Sequence, residues 1–456
     1  MTRGLSNVLP PLETYDVQCD TLVIGAGACG LVAALAAYER NQTVLVIERD
    51  KIPQGSTSLS AGLIPAAGTK FQHEAGIEDS PEIFANDIQY KAKNENNQLI
   101  VDVLTQNSGR VIEWLADGHG LDFSVVTDFG YPGHSKRRMH GLPTRAGAEL
   151  IDALRTACEE AGIDIICDRR AQLLFFDGYR ITGAGVTGPE GSIETIECQK
   201  LILACNGFGG NRTLVSELMP EIKEALWFGH DGNQGDAMGW AVGLDARLKH
   251  LSAYQGHGNV AYPHGILITW AVITEGGIQV NSLGKRFWNE AQGYSEAARV
   301  VLSQPNGQAY AVFDGRIAGI ARQFNDFKRA ERSNAIKGSD TLGGLSKYLG
   351  LPTEALIETV DNIPWGSEDN FGRRFCHIQL SAPFYGVKVT GALFHTQGGL
   401  AINSSAQVLR NNGSPIVNLY AGGGAACGVS GRKDSGYLSG NGLLAAVVLG
   451  KIAGEA

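Results

Sequence analysis

The apolar and polar positions of the first fifty residues fall into a strand, a turn, a helix and a second strand. Residues 21–24 (TLVI) are a short apolar run of the kind a buried parallel strand requires. Residues 31–39 have the Ala- and Leu-rich content of a helix, and 43–47 predict the second strand. Two helices follow at 83–93 and 97–117, and a well-patterned amphipathic helix at 146–161 ends at Gly162. Short alternating segments at 163–167, 171–176, 180–187 and 192–196 are separated by turns at Asp177-Gly178 and 188–191, which predicts a β-meander. Residues 200–204 predict a further apolar strand, and 416–421 another. A glycine turn and a terminal helix occupy 437–453, while residues 1–17 read as an arm with a turn at Pro10-Pro11. Between 238 and 381 aromatic and charged residues rise and the strand–glycine–helix rhythm fades, which predicts an inserted domain.

Glycine placement gives the first unit its chemistry. Gly25, Gly27 and Gly30 form GxGxxG between strand and helix, and Glu48 ends the second strand. That order suits a dinucleotide: glycines for the turn and for close approach to a pyrophosphate, a helix N-terminus facing the phosphates, and an acid for the ribose hydroxyls of an adenosine. The run 55–62 (GSTSLSAG) can wrap a pyrophosphate and a ring edge with small donors. A second glycine-rich loop after a strand, CNGFGGN at 205–211, and a third, DGNQGD at 231–236, have the same character.

Composition narrows the partners. The 456 residues are too many for one small core, so two domains or one elaborated domain are expected. Hydrophobic content of 43% and charged content of 19% describe a globular protein, and a formal charge of −9 argues against nucleic acid or an anionic membrane as a main partner. The eight cysteines are scattered with no CxxC, so no zinc, iron–sulfur or haem site is expected. The N-terminal stretch has no apolar signal core and no long apolar run occurs, so a cytoplasmic protein without a membrane segment is expected.

Seven ordered segments carry a family resemblance: VIGAGACG from Val23, ACNGFGGN from Ala204, GNQGDAM from Gly232, GGIQVNSLGKRFWNE from Gly276, HTQGGLAIN from His395, LYAGGG from Leu419 and SGNGL from Ser439. The chain resembles the fumarate reductase/succinate dehydrogenase flavoprotein superfamily over nearly its whole length. The resemblance implies an α/β fold: a Rossmann-like, glutathione-reductase-like FAD-binding domain made of both chain ends (1–237 and 386–456) and an inserted α+β capping domain (238–385). It implies that FAD contacts Gly25, Gly27, Ala28, Cys29, Gly30, Glu48, Arg49, Ser56, Thr57, Ser60 and Gly62 in the first part of the chain. Further contacts are implied at Ala171, Ala204, Cys205, Asn206, Gly207 and Asp236, and at Gly423, Gly424, Ser439, Gly440, Gly442 and Leu443. Relatives that attach FAD covalently use a histidine in the segment after Glu48; 49–68 has none, so non-covalent FAD is expected. Many relatives carry an acid or amide where Gly424 stands.

The departures point to the reaction. Fumarate reductases place one arginine shortly after the VNE segment as proton donor and another before the last glycine turn to grip a dicarboxylate. Here those positions hold Tyr294 and Tyr437; Arg299 and Arg432 are off register. The pattern is similar to the 3-ketosteroid Δ1-dehydrogenase branch. That resemblance implies that Tyr437, with a backbone N–H of the Asn441–Gly442 turn, holds a ketone oxygen, that Tyr294 takes the α-proton, and that flavin N5 takes hydride from the β-carbon. Tyr131 is the candidate third tyrosine, and His395 and His257 are candidate substrate contacts. Tyrosine suits an apolar ring ketone, whereas arginine suits a carboxylate. The expected activity is therefore α,β-desaturation of a cyclic ketone, either a small oxo-cyclohexane such as 4-oxocyclohexanecarboxylate or a 3-ketosteroid. A fumarate-reductase-like ene reductase of an unsaturated acid is the alternative, and a non-enzymatic flavin protein the third. Lys136-Arg137-Arg138 read as a solvated loop, or as cations that meet a substrate carboxylate. The electron acceptor is expected to be external: oxygen, a quinone or another redox protein.

Overall fold

The computed structural model describes residues 7–376 and 378–456; the first six residues of the expected N-terminal arm lie outside them. Two sheets organise the chain. The core of the larger, nine-stranded sheet is parallel, in the order Asp164–Ile166, Val44–Ile47, Val17–Ile24, Ile193–Leu203 and Pro415–Ala421. The central stretches Leu22–Ile24, Leu45–Ile47 and Leu201–Leu203 are short buried apolar runs, as a parallel sheet covered by helices requires. Ala28–Tyr38, with its first ten residues buried, packs between this sheet and the C-terminal helix Asn441–Glu455. Gly25 and Gly30 make the junction possible. Gly25 has φ +105°, and a Cβ on Gly30 would lie 1.8 Å from the Gly25 carbonyl oxygen.

Ile193–Leu203 is one continuous strand, where the sequence pattern divides into 192–196 and 200–204. It changes partner along its length. Residues 193–197 pair antiparallel with Ile181–Thr187, and 201–203 pair parallel with Pro415–Ala421. On its other side it runs parallel to Val17–Ile24 throughout 196–203. The polar residues between the two apolar runs mark the partner change rather than a break. Lys200, just after them, is buried and donates to the carbonyl oxygens of Gly454 and Ala456, each at 2.8 Å. The segment read as an arm also contributes a strand, Val8–Leu9, to the edge of this sheet beside Arg170–Phe176.

The second, seven-stranded sheet is built around the long strand Phe384–Thr396, flanked by Tyr254–Ala261 and Gln308–Asp314. It draws on Leu226–Trp227 and on all of Phe384–Thr396, so it reaches past residues 238–385 at both ends. Register shifts on either side of His257 interrupt its pairing and re-aim that side chain. The helix Tyr294–Leu302 packs on the same sheet. Among the described residues no helix is long and apolar enough to cross a membrane.

An ion cluster fixes the approach to that helix. Glu290 is fully buried and accepts Arg286 Nε–H at 2.9 Å and the Gln279 N–H at 3.0 Å, with Arg373 Nη1 3.1 Å away. Burial alone would raise this carboxyl; Arg373 and Arg286 more than offset it and hold the pKa below the usual range. Glu290→Ala leaves two buried guanidinium groups short of their counter-charge. It is expected to cost about 3–5 kcal/mol of stability in denaturant unfolding.

Candidate active site

Most of the residues singled out above converge on one cavity of about 550 Å³ between the two sheets. At one end lies Glu48, buried, with its carboxylate accepting the N–H groups of Ala26 at 2.7 Å and Asp50 at 3.0 Å. Burial raises its pKa and those N–H donors act against the rise. Arg49 and Arg170 share Asp236, at 3.1 and 2.9 Å. Ser56 accepts the side-chain amides of Asn206 at 3.0 Å and Asn233 at 2.8 Å, and Thr57 accepts the Ala28 N–H at 3.0 Å. The wall between the two ends carries exposed backbone at Gly25, Gly27, Gly423, Gly424, Gly440 and Gly442.

This cradle fits FAD. Its volume is in the range of ligand cavities, its walls are backbone and small hydroxyl groups, and a buried acid closes one end. Gly424 shows why an acid or amide is missing there. A Cβ at 424 would lie 2.1 Å from Asn206 Oδ1 and 2.8 Å from His395 Nε2. Asn206, with φ +63°, brings its own amide into the space. Gly424→Gln is expected to weaken FAD retention about tenfold or more, read as the flavin-to-protein ratio after gel filtration.

Four expected contacts do not line the cavity. Gly30 packs on the Gly25 backbone, a Cβ on Gly207 would lie 1.9 Å from Thr396 Oγ1, a Cβ on Gly62 would lie 2.7 Å from the Ala146 carbonyl oxygen, and Asn441 is fully buried with neither side-chain amide atom partnered. The other expected cofactor contacts, together with Tyr131, Tyr294, Tyr437, His257 and His395, all line it.

At the far end the cavity is aromatic. Phe228 stacks on Phe394 at 4.6 Å, Phe394 on His257 at 5.3 Å, and His257 on Tyr294 at 4.8 Å. Trp270 closes the column edge-on, 5.8 Å from His257. Tyr437 stands 6.2 Å from Tyr294, ring centre to ring centre. The Gly442 and Gly440 N–H groups and the Tyr294 hydroxyl lie on the side of the Tyr437 oxygen and favour its ionised form. Burial pushes Tyr437 up to about 12 against these donors. Burial and the neighbouring Tyr437 raise Tyr294 well above the ordinary value, and a hydrogen bond from Ser439 lowers it. Burial lowers His257 to about 3 and His395 to about 4, so both rings are neutral at physiological pH. Gln397 donates to His395 Nδ1 at 2.9 Å and accepts Ser430 Oγ–H at 3.0 Å, which leaves the His395 proton on Nε2. Burial also raises Tyr131, whose ring sits 5.1 Å from Phe129.

Every arginine lining the cavity has a carboxylate partner. Besides Arg49 and Arg170, Arg169 meets Glu194 at 3.0 Å, Arg145 meets Asp128 at 3.0 Å, and Arg329 meets Asp326 at 3.4 Å. Off the cavity, Arg299 is bound to Asp434 at 2.9 Å. Arg138 is not part of a solvated loop. It is 1% exposed, grips Asp79 through Nε and Nη2 at 2.9 Å each, and also pairs with Asp87. It is therefore committed to structure and cannot meet a substrate carboxylate.

The comparisons agree with this geometry. The FAD binding domain family matches residues 20–443. A probable fumarate reductase of Shewanella frigidimarina is 31% identical, over 98% of this chain and 75% of its own length. The 4-oxocyclohexanecarboxylate 2-dehydrogenase of Sinomonas cyclohexanicum is 23% identical, over 91% of this chain and 88% of its own. Among solved structures, the open conformation of a flavocytochrome c3 fumarate reductase aligns with TM-score 0.81 at 29% identity, covering 97% of this chain and 78% of that one. The 3-ketosteroid-Δ4-(5α)-dehydrogenase from Rhodococcus jostii RHA1 aligns with TM-score 0.77 at 23% identity, covering 97% of each chain, which shows a shared fold.

Proposed function

The chain belongs to the FAD binding domain family, with the fumarate reductases among its relatives, and we propose that it desaturates the α,β carbon–carbon bond of a cyclic ketone. It is an FAD-dependent oxidoreductase acting on carbon–carbon bonds. The observation that carries the finer reading is the pair of tyrosines, 6.2 Å apart between ring centres, at the end of an aromatic cleft whose lining arginines all have carboxylate partners. An apolar ring gains by burial against Phe394, His257 and Trp270, whereas a dicarboxylate would find no free guanidinium among the lining residues.

In this reading Tyr437 donates its hydroxyl proton to the ketone oxygen. The Gly440 and Gly442 N–H groups on its own oxygen make it a stronger donor, and they need no reorganisation as charge builds on the ketone. Tyr294, ionised, removes the α-proton, and Ser439 steadies its oxygen. Non-covalently bound FAD supplies the acceptor for the hydride that leaves the β-carbon. An external acceptor then closes the cycle. Turnover of 4-oxocyclohexanecarboxylate or a 3-ketosteroid with a dye acceptor should yield an enone two hydrogens lighter; recovery of unchanged ketone from the whole panel would overturn the proposal.

The active base is the ionised form of a phenol whose pKa lies above the ordinary value, so its population grows with pH throughout the accessible range. The two cleft histidines titrate well below neutrality and add no break there. The reductive rate should therefore climb steadily between about pH 6 and about pH 9. A flat stopped-flow profile would remove Tyr294 as the base. The second reading, an ene reductase of an unsaturated acid, is favoured by the fumarate reductase at 31% identity, and would keep His257 and His395 for binding.

A further inference from the structure

We propose that His134 is a positioning residue: braced by Arg138, it fixes the backbone of Ser439 in the segment that carries Tyr437, and so aligns Tyr437 with Tyr294 across the junction of the two sheets. The inference rests on the ketone reading above and extends it to residues outside the cavity's reacting end.

Two contacts carry it. Arg138 Nη1 lies 3.1 Å from His134 Nδ1. A guanidinium only donates, so Nδ1 accepts and the ring proton sits on Nε2. His134 Nε2 lies 2.9 Å from the Ser439 carbonyl oxygen, which then accepts that proton in a hydrogen bond. Ser439 lines the cavity together with Tyr294 and Tyr437, near enough to Tyr294 to act on its ionisation. Ser439 is 3% exposed and sits between Tyr437 and the helix Asn441–Glu455, in the segment that also supplies the Gly440 and Gly442 N–H groups. Tyr294 begins a helix packed on the other sheet, so Tyr294 and the Ser439 segment face the cavity from its two halves.

The brace is rigid at its root. Arg138 is locked by Asp79 and by Asp87 of the helix Pro81–Lys91, and Ser135 donates to Asp87 through its N–H at 2.8 Å and its hydroxyl at 2.9 Å. Burial and the adjacent Arg138 lower His134 to about 4, so its tautomer does not change at neutral pH. A support shell of this kind matters because a displacement of about 1 Å at a reacting group can cost about 10²-fold in rate.

The test uses the FAD-loaded full chain and compares His134→Ala, His134→Gln and Tyr294→Phe. Gln places an amide N–H where Nε2–H was. The first readout is the anaerobic flavin-bleaching rate with the ketone. The second is calorimetric affinity for 4-nitrophenolate, a planar oxyanion that needs the aligned hydroxyls but no turnover. The proposal expects His134→Ala to lose about tenfold or more in both, with flavin content and Tm kept, and His134→Gln to recover most of the loss. Unchanged behaviour of His134→Ala overturns it. So does failure of Gln to restore, or a loss that tracks Tm in both variants, since either means a merely structural role. If Tyr294→Phe bleaches like the parent, the ketone reading itself falls. If it is slow while His134→Ala is not, only the role of His134 falls.

Discussion

Tyr294→Phe should slow anaerobic flavin bleaching by a ketone by about 10²–10⁴-fold while FAD stays bound. The ring and its stacking on His257 survive the change, and only the hydroxyl is lost. The effect should fall on kcat and on kcat/KM alike, because the proton is taken only in the transition state. The pH dependence of the residual rate should flatten, since the titrating group has gone. Bleaching within a few-fold of the parent would move the base elsewhere. Tyr131 is the next candidate, since it lines the same cavity and lies close enough to raise the Tyr294 pKa.

The second large effect is expected at Tyr437. Tyr437→Phe removes the donor to the ketone oxygen and should cost about 10²–10³ in bleaching rate, the loss typical of one oxyanion donor. A phenolate, which loses that hydroxyl donor, should bind the variant more weakly, while a neutral ketone changes little in affinity. If Tyr437→Phe bleaches at the parent rate, the Gly440 and Gly442 N–H groups act on the ketone directly and the tyrosine is packing.

Much of this arrangement is legible in the residue order. The GxGxxG unit with Glu48, the three later glycine loops and the tyrosines at 294 and 437 are local signals, each carried by a few adjacent residues. The structure places them on one cavity because parallel strands deliver their C-terminal loops to one edge of the sheet. What the sequence withholds depends on distant pairing. Phe228, His257 and Phe394 stack only because Leu226–Trp227 and Tyr254–Ala261 both pair with Phe384–Thr396. No periodicity in any one segment records that. Ile193–Leu203 looks like two strands because its partners change, and Arg138 looks solvated because its carboxylates lie about fifty or more residues upstream. Asn441 follows the motif register into the site region, yet it is buried behind the residues that line the cavity.

Direction of electron flow separates the proposal from its alternative most directly. Oxidised holoenzyme, held under argon, would be mixed in turn with 4-oxocyclohexanecarboxylate, cyclohexanone, a steroid 3-ketone and succinate, and the flavin absorbance followed. Loss of the yellow colour with a ketone and not with succinate is the predicted result, and the ranking among ketones would give the ring size. No bleaching by any ketone, together with rapid reoxidation of the dithionite-reduced enzyme by an unsaturated acid, would contradict it and make the protein an ene reductase.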